Sequence, residues 1–186
     1  MSKESPKRIA IIGSAGVGKT TILEKLKSTL GLAIIPEQAR IVCKELGFKN
    51  IYKINDPNHF RQLTLNSQIK KEEALKEFIS DRSTIDCWVH WVRWSWSNAK
   101  TSESEKYYKL AFSQALKYSH IIFIPRTFTF KAKNDGFRWN NEEYQNQIDR
   151  LFKEILLEWE LMSRTYIVQA KNLNERFKEI KEFLKS

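Results

Sequence analysis

One octapeptide near the start of the chain has the residue types and the spacing of a phosphate-binding loop. Residues 13–20 read GSAGVGKT, which fits the pattern G-x-x-x-x-G-K-[ST] at every fixed position. Glycines let the backbone approach phosphate oxygens closely, and the first turn of a following helix adds partial positive charge. We therefore predict that this segment binds ATP, with GTP as an alternative. The residues of the predicted nucleotide site are Gly13, Ser14, Ala15, Gly16, Val17, Gly18, Lys19, Thr20 and Thr21.

Two side chains of this loop have predicted roles of their own. Lys19 is expected to act catalytically by reaching the β- and γ-phosphates, and the Thr20 hydroxyl is expected to hold Mg²⁺. A glycine-rich turn without a ligand is the alternative. Three of the six glycines of the chain fall inside the octet, which favours the phosphate loop.

An acid and an arginine follow the second predicted strand. Residues 36–40 read PEQAR, so Glu37 lies at the carboxyl edge of the sheet and Arg40 follows about one helical turn later. Such a carboxylate can accept a proton from a substrate hydroxyl, and the guanidinium can bind an anionic or carbonyl group. The alternative is an acid in the first turn of a helix beside a surface arginine.

A second such pair follows the third predicted strand, where residues 80–83 read SDRS. Asp81 is expected to hold Mg²⁺ through water or to act as a base, and Arg82 is expected to bind substrate or a phosphoryl group. Ser83 and Asp86 are assigned to a helix cap, since they have the spacing of a capping box.

A basic segment separates the fourth predicted strand from a long helix. We predict a lid-like loop over residues 126–141 that folds over phosphates and excludes water. Arg138 is the preferred catalytic source of positive charge, with Arg126 and Arg150 as second choices. A solvated loop is the alternative.

Motifs of two other nucleotide-binding classes are absent. None of the five aspartates lies in a DxxG or NKxD pattern, which disfavours a GTP switch of the Ras type. No apolar strand ends in the acid pair typical of motor and transporter ATPases, since residues 121–125 (IIFIP) end in proline.

The elements that position these residues alternate between strands and helices. Apolar runs predict strands at 8–12, 32–35, 78–79, 120–124 and 165–168. Helical spacing, with Asp56 and Pro57 as a helix start, predicts helices at 19–30, 39–46, 57–75, 83–97, 103–118, 142–161 and 173–184. The prediction is one domain over residues 1–186, of class α/β, with helices packed around a mostly parallel five-stranded sheet.

Charge and composition limit the kinds of partner and the cellular location that we expect for this protein. Lys and Arg total 32 against 22 Asp and Glu, a formal charge of +10, which favours an anionic partner. A nucleotide with a small-molecule acceptor is the first choice, and nucleic acid is secondary. No stretch is long and apolar enough to span a membrane, and the polar start MSKESPKR does not resemble a secretion signal, so a cytoplasmic protein is expected. Cys43 and Cys87 are expected to be buried thiols.

Taken together, the segments GSAGVGKTT, PEQAR, SDRSTID and NDGFR resemble those of P-loop nucleoside and nucleotide kinases. More narrowly, they are similar to the AAA-type ATPase group that includes the bacterial ribosylnicotinamide kinase domain. The resemblance implies a three-layer α/β/α sandwich with the P-loop strand central. It also implies a base at Glu37, a DR element at Asp81 and Arg82, and a lid arginine at Arg138.

The chain departs from that family in two respects. Its lid lacks a dense run of arginines, and its substrate-side helices carry four tryptophans at positions 88, 91, 94 and 96. Trp88 and Trp91 share a helical face with Ile85 and Val92, so we expect core packing, with a stacking surface for a base as the alternative.

The resulting functional prediction is ATP-dependent phosphoryl transfer to a small hydroxyl-bearing acceptor, a nucleoside or nucleotide. The alternatives are an ATP- or GTP-binding module with little turnover that regulates a partner, and a kinase or binder of nucleic-acid ends.

Overall fold

Five parallel strands form the central sheet of the structure, a computed structural model that describes residues 6–126 and 141–185. The strands are β1 (Arg8–Ile12), β2 (Ala33–Ile35), β3 (Phe78–Asp81), β4 (His120–Phe123) and β5 (Thr165–Ile167). Their order across the sheet is β2-β3-β1-β4-β5, and all four neighbouring pairs are parallel. The strand that precedes the phosphate loop is therefore central, as the family resemblance implies.

Helices cover both faces of this sheet. They are α1 (Lys19–Leu30), α2 (Gln38–Glu45), α3 (Pro57–Glu73), α4 (Thr84–Trp94), α5 (Thr101–Ala115), α6 (Glu142–Glu158) and α7 (Leu173–Phe183). Successive side chains of a strand point to opposite faces, and β1 shows the result. Ile9 and Ile11 pack with residues of α1 and α7, whereas Ala10 and Ile12 pack with residues of α4, α5 and α6. The predicted three-layer α/β/α sandwich is confirmed.

Helix ends differ from the sequence prediction by a few residues. α4 was expected to run to Ser97 but ends at Trp94, where the backbone N–H of Ser95 still bonds the Trp91 carbonyl. α6 ends three residues before the expected Leu161, because Glu160 takes a left-handed backbone conformation with φ of 54°. Two short 3-10 helices, Ile51–Lys53 and Met162–Arg164, have no signal in the apolar pattern.

Most of the predicted lid-like segment lies outside the described residues. Arg138 is among the residues so excluded, and its role in supplying positive charge stays a prediction. Arg126 and Asn141, at the two ends of the segment, are described.

The tryptophans divide between core and surface. Trp91 is fully buried and its ring stacks on Tyr107 with centroids 4.1 Å apart, and Trp88 is also buried, as core packing predicts. Trp96 is 58% exposed, which core packing does not predict. Both cysteines, Cys43 and Cys87, are buried free thiols, as expected.

A buried carboxylate ties α3 to α5 and to the start of β4. Glu72 is fully buried and accepts hydrogen bonds of 2.7 Å from Gln68 Nε2, Gln114 Nε2 and the Tyr118 hydroxyl. Burial raises the pKa of Glu72, and the hydrogen bonds from these three donors oppose that rise. Gln68 also donates to Ser80 Oγ in β3 at 2.8 Å, so this network fixes α3 against the sheet.

Among the helices in the described ranges, none has the combination of length and apolar character that a membrane span requires.

Candidate active site

The phosphate loop depends on a glycine at its first position. Gly13 has φ of 138°, a conformation that L-residues rarely adopt, and a Cβ there would overlap the carbonyl oxygen of Ile124. The loop ends where α1 begins at Lys19. The first N–H groups of a helix have no acceptor within it, so the start of α1 directs N–H donors toward the loop, as anion binding requires.

Lys19 folds back over this loop. Its side chain is buried, and Nζ donates to the carbonyl oxygens of Gly13 at 2.9 Å and Ser14 at 2.6 Å. A phosphate offers the ammonium a charged acceptor, which binds more strongly than a neutral carbonyl. The lysine is thus held at the loop in a position from which it can exchange carbonyls for phosphate oxygens.

Thr20 and Asp81 meet beside the loop. The register of the sheet pairs Ile11 of β1 with Asp81 of β3, and the Thr20 hydroxyl donates to Asp81 Oδ2 at 2.7 Å. A hydroxyl and a carboxylate are both oxygen donors of the type that Mg²⁺ prefers, and Mg²⁺ usually keeps several waters besides its one or two protein ligands. The pair fits a magnesium site completed by water and phosphate oxygens.

Arg82 is the centre of the charged cluster. Its Nε donates to Glu37 Oε1 at 2.9 Å, and Nη1 donates to Asp86 Oδ1 at 2.9 Å and to the Gly13 carbonyl at 3.2 Å. Burial alone would lower the pKa of Arg82, but the charges of Glu37, Asp86 and Asp81 outweigh it and raise the pKa above its ordinary value. Arg82 also has a positive φ of 81°, which costs free energy for a residue with a side chain.

Glu37 lies between two guanidinium groups. Arg82 binds Oε1, and Arg40 Nε binds Oε2 at 3.0 Å from a side chain that is 44% exposed. Both oxygens are thus held in position by positively charged donors. A carboxylate has about four acceptor sites, which gives Glu37 the chemistry to accept a hydrogen bond from a bound hydroxyl as well.

A cavity of about 420 Å³ opens from this cluster. Ala15 of the phosphate loop, Glu37 and Arg82 are among its lining residues. Apolar and aromatic residues form most of the remaining lining, including Phe60, Trp94, Tyr107 and Tyr144, with Arg61 and His90 among its polar members. Small-molecule sites commonly have volumes of roughly 300 to 1,000 Å³ with this mixture of apolar walls and a few polar groups.

The structure assigns Ser83 and Asp86 more than the predicted cap. Ser83 Oγ accepts from the backbone N–H groups of Ile85 and Asp86, which confirms the helix cap. Asp86 also forms the buried ion pair with Arg82 and lines the cavity, which the sequence prediction missed. The signal was present, because residues 82 and 86 are one helical turn apart with opposite charges.

Asp149 is a further buried acid that sequence reasoning did not select. It lies on the buried face of α6, and its Oδ2 accepts from the backbone N–H of Arg126 at 2.5 Å. Burial raises the pKa of Asp149, and the Arg126 N–H together with Ser14 and Lys19 acts against that rise. An acid on the apolar stripe of an amphipathic helix is the signal that would have found it.

Arg176 of α7 binds the phosphate loop from the opposite side. This buried side chain donates from Nη1 to the Val17 carbonyl at 2.9 Å and from Nε to the Ala170 carbonyl at 2.8 Å. It connects the loop to the segment between β5 and α7. Nothing in the local sequence pattern distinguishes it from the other basic residues of α7.

Arg126 and Arg150, the two second choices to Arg138, differ in their surroundings. Arg126 pairs with Glu142 Oε1 at 2.9 Å and lies beside the buried Asp149. Arg150 is exposed, and its Nη2 lies 4.0 Å from Glu143 Oε1. The structure therefore does not bring Arg150 to the charged cluster.

A family model and several solved structures match this chain. A family model described as an AAA domain matches residues 8–176. NadR protein in complex with NR matches with a TM-score of 0.76 at 15% identity, over 97% of this chain and 50% of that one. Deoxyadenosine kinase from M. mycoides with bound dATP matches with a TM-score of 0.67 at 20% identity, over 97% of this chain and 100% of the kinase. Thymidylate kinase from Candida albicans matches with a TM-score of 0.68 at 14% identity, over 97% of this chain and 92% of that one.

These matches define how far the likeness extends. The chain spans half the length of the NadR chain that it matches, and no curated protein matches it in sequence. At such low identities the structures share the fold, which is that of P-loop nucleoside and nucleotide kinases.

Proposed function

The chain belongs to the AAA domain family, and on that premise we propose that it transfers the γ-phosphoryl group of ATP to a hydroxyl of a nucleoside or nucleotide. The observation that carries the proposal is a cavity of about 420 Å³ whose lining combines Ala15 of the phosphate loop, Glu37, Arg82 and several aromatic side chains. A switch or a simple hydrolase needs only nucleotide and water at this place. A kinase needs a second organic pocket that faces the γ-phosphate.

The donor side of the site supplies positioning and positive charge, which are the main requirements of phosphoryl transfer. Backbone N–H groups of the loop and the start of α1 bind the phosphates, and Lys19 binds the β- and γ-phosphates. Thr20 and Asp81 would hold Mg²⁺, which neutralises phosphate charge when bound.

The acceptor side supplies a base and a second cation. Glu37, which its two arginine partners hold in position, accepts the proton of the attacking hydroxyl at a carboxylate oxygen. Arg82 binds the transferred group, because its side chain lines the cavity and its guanidinium contacts the first residue of the phosphate loop. The proton then passes from Glu37 to water when the product leaves.

The cavity walls favour a planar acceptor. Phe60, Trp94 and Tyr144 offer ring faces and edges, and base–aromatic contacts tolerate several bases. Proteins of the same fold include a deoxyadenosine kinase and a thymidylate kinase, which supports a nucleoside or nucleotide as acceptor.

The proposal is tested by offering γ-labelled ATP, Mg²⁺ and a panel of nucleosides and nucleotides to the protein. We expect label in at least one acceptor, and loss of at least 99% of this transfer in Lys19→Ala. Nucleotide binding without transfer to any acceptor would favour the regulatory binding module instead. Transfer to oligonucleotide ends but to no mononucleotide or nucleoside would favour a nucleic-acid-end kinase.

A further inference from the structure

A second cavity lies on the other side of α4 from the candidate active site. The active-site cavity takes Asp86, His90 and Trp94 from this helix, whereas the second cavity takes Trp88 and Val92. Helices α5 and α6 form its other walls, and its volume is about 580 Å³. We call it the acidic groove, and its principal lining residues are Trp88, Trp96, Tyr108, Glu105, Glu154 and Glu158.

Aromatic rings at right angles form the floor of the acidic groove. The ring of Trp88 meets that of Trp96 at 81° with centroids 5.9 Å apart, and meets that of Tyr108 at 73° with centroids 5.1 Å apart. Trp96 is nevertheless 58% exposed. An indole left in water forgoes roughly 25 cal/mol for each Å² of apolar surface that a partner would bury.

Carboxylates dominate the rim. Glu105 of α5 lines the groove together with Glu154 and Glu158 of α6, and Lys109 is the cation among the lining residues. None of these three glutamates forms an ion pair within 4.0 Å in the described ranges. The groove is therefore negative although the whole chain carries a formal charge of +10.

The sign of this charge decides between classes of occupant. Nucleic acid and acidic lipid surfaces are repelled by three carboxylates. A positively charged group is attracted, and aromatic faces bind it further through cation–π contacts. Lysine and arginine also have apolar stems that can cover indole and phenol rings while their charged ends reach the rim.

We propose that the acidic groove binds a short basic segment of a partner protein, with arginine or lysine side chains between the aromatic floor and the glutamates. Leu151 and Glu158 lie seven residues apart on α6, which at a rise of about 1.5 Å per residue gives a groove about 10 Å long. An extended chain advances roughly 3.3 Å per residue, so three to four residues occupy it. The proposal is independent of phosphoryl transfer.

The test uses two acetylated hexapeptides, one of alternating leucine and arginine and one of alternating leucine and glutamate. Titration calorimetry with the full chain should show binding of the arginine peptide at least tenfold tighter than that of the glutamate peptide. The variant E105Q/E154Q/E158Q should raise the Kd for the arginine peptide at least tenfold. The control E24Q/E45Q/E160Q changes the net charge equally at exposed glutamates outside the groove, and it should bind as the wild type does.

A second pair of variants tests the aromatic floor. Trp96→Ala should weaken the arginine peptide at least fivefold, whereas Leu157→Ala, which is 64% exposed outside the groove, should not. Circular dichroism checks that all variants remain folded. The proposal is overturned by equal binding of the two peptides, by absence of binding, or by undiminished binding to the groove triple variant. A wild-type dimer that Trp96→Ala converts to a monomer would also overturn it, because a second copy would then cover the groove.

Discussion

Replacing Glu37 by glutamine separates its proposed role as a base from a role in holding the site together. Glutamine has nearly the same size and keeps one carbonyl oxygen that can accept from Arg82, which also retains its bond of 2.9 Å to Asp86. What glutamine lacks is the negative charge and the ability to take a proton.

The expected magnitude follows from the contacts of Glu37. General-base catalysis contributes about 10²- to 10⁴-fold, so we expect Glu37→Gln to lower kcat at least 100-fold, equivalent to roughly 2.7 kcal/mol in the barrier. Glu37 forms ion pairs with Arg40 and Arg82, and it lies outside the phosphate loop in the sequence. The Kd for ATP should therefore change less than about threefold.

The assay measures kcat with the best acceptor of the panel and the Kd for ATP by calorimetry. Arg40→Gln is the matched control, since it removes the exposed partner of Glu37, and exposed ion pairs contribute about 0 to 1 kcal/mol. This control should lower kcat less than tenfold. If Glu37→Gln lowers kcat and ATP affinity in proportion, Glu37 is a structural residue and the assignment of the base is wrong.

Three further predictions concern the framework of the site. Gly13→Ala should destabilise the chain by at least about 3 kcal/mol and abolish nucleotide binding, because its Cβ would overlap the Ile124 carbonyl. Gly31→Ala should cost only about 1 to 2 kcal/mol, because Gly31 has φ of 64° and open space around it. Urea unfolding and ATP titration compare the two variants, and equal losses would refute the reasoning. Glu72→Ala should lower the free energy of unfolding in urea by about 3 kcal/mol or more, since three buried groups lose their shared acceptor. Burial raises the pKa of Glu72, so protonation of this group stabilises the folded state most at pH values below its ordinary pKa, and this stabilisation is lost as the pH rises through the pKa of the folded state. The variant Glu72→Gln should lack this pH dependence. A free energy of unfolding that varies with acidic pH in the same way in the wild type and in Glu72→Gln would contradict the prediction. Arg176→Met should raise the Kd for ATP at least fivefold, because the Val17 carbonyl loses its donor, and Arg176→Lys should partly restore the affinity. An unchanged Kd for ATP in calorimetry would show that this contact is only structural.

Local signals in the sequence were sufficient for the phosphate loop and its setting. The apolar run of β1, the glycine spacing and the helical pattern after Lys19 all lie within 23 consecutive residues, from Arg8 to Leu30. Each signal is short-range, so no knowledge of the tertiary fold was needed. The boundaries of β1 and α1 match the prediction for this reason.

The sequence located the charged residues but did not reveal how they are paired. Placement at strand ends predicted that Glu37, Asp81 and Arg82 lie near one another, because parallel strands share a carboxyl edge. The bond between Thr20 and Asp81 depends on the register of β1 against β3, and the bond between Glu37 and Arg82 depends on how α2 packs. These are tertiary properties that no local pattern encodes.

The placement of the tryptophans likewise depends on tertiary structure that local sequence patterns do not encode. Helical spacing placed Trp88 and Trp91 in the core, but the position of Trp96 depends on α4 ending at Trp94. The place of Asp149 on the apolar stripe of α6 could have predicted its burial, but its partner could not be predicted, because only the fold shows that it faces the segment after β4.

Following the γ-phosphoryl group through a single turnover tests the central proposal most directly. Enzyme in excess of γ-labelled ATP, with Mg²⁺ and the best acceptor, is quenched at successive times and the labelled products are separated. We predict that the label passes to the acceptor hydroxyl at the rate at which ATP disappears, with inorganic phosphate below one tenth of the product. Label that appears only as inorganic phosphate, or that stays in ATP while the nucleotide is bound, would contradict the proposal that this protein is a kinase.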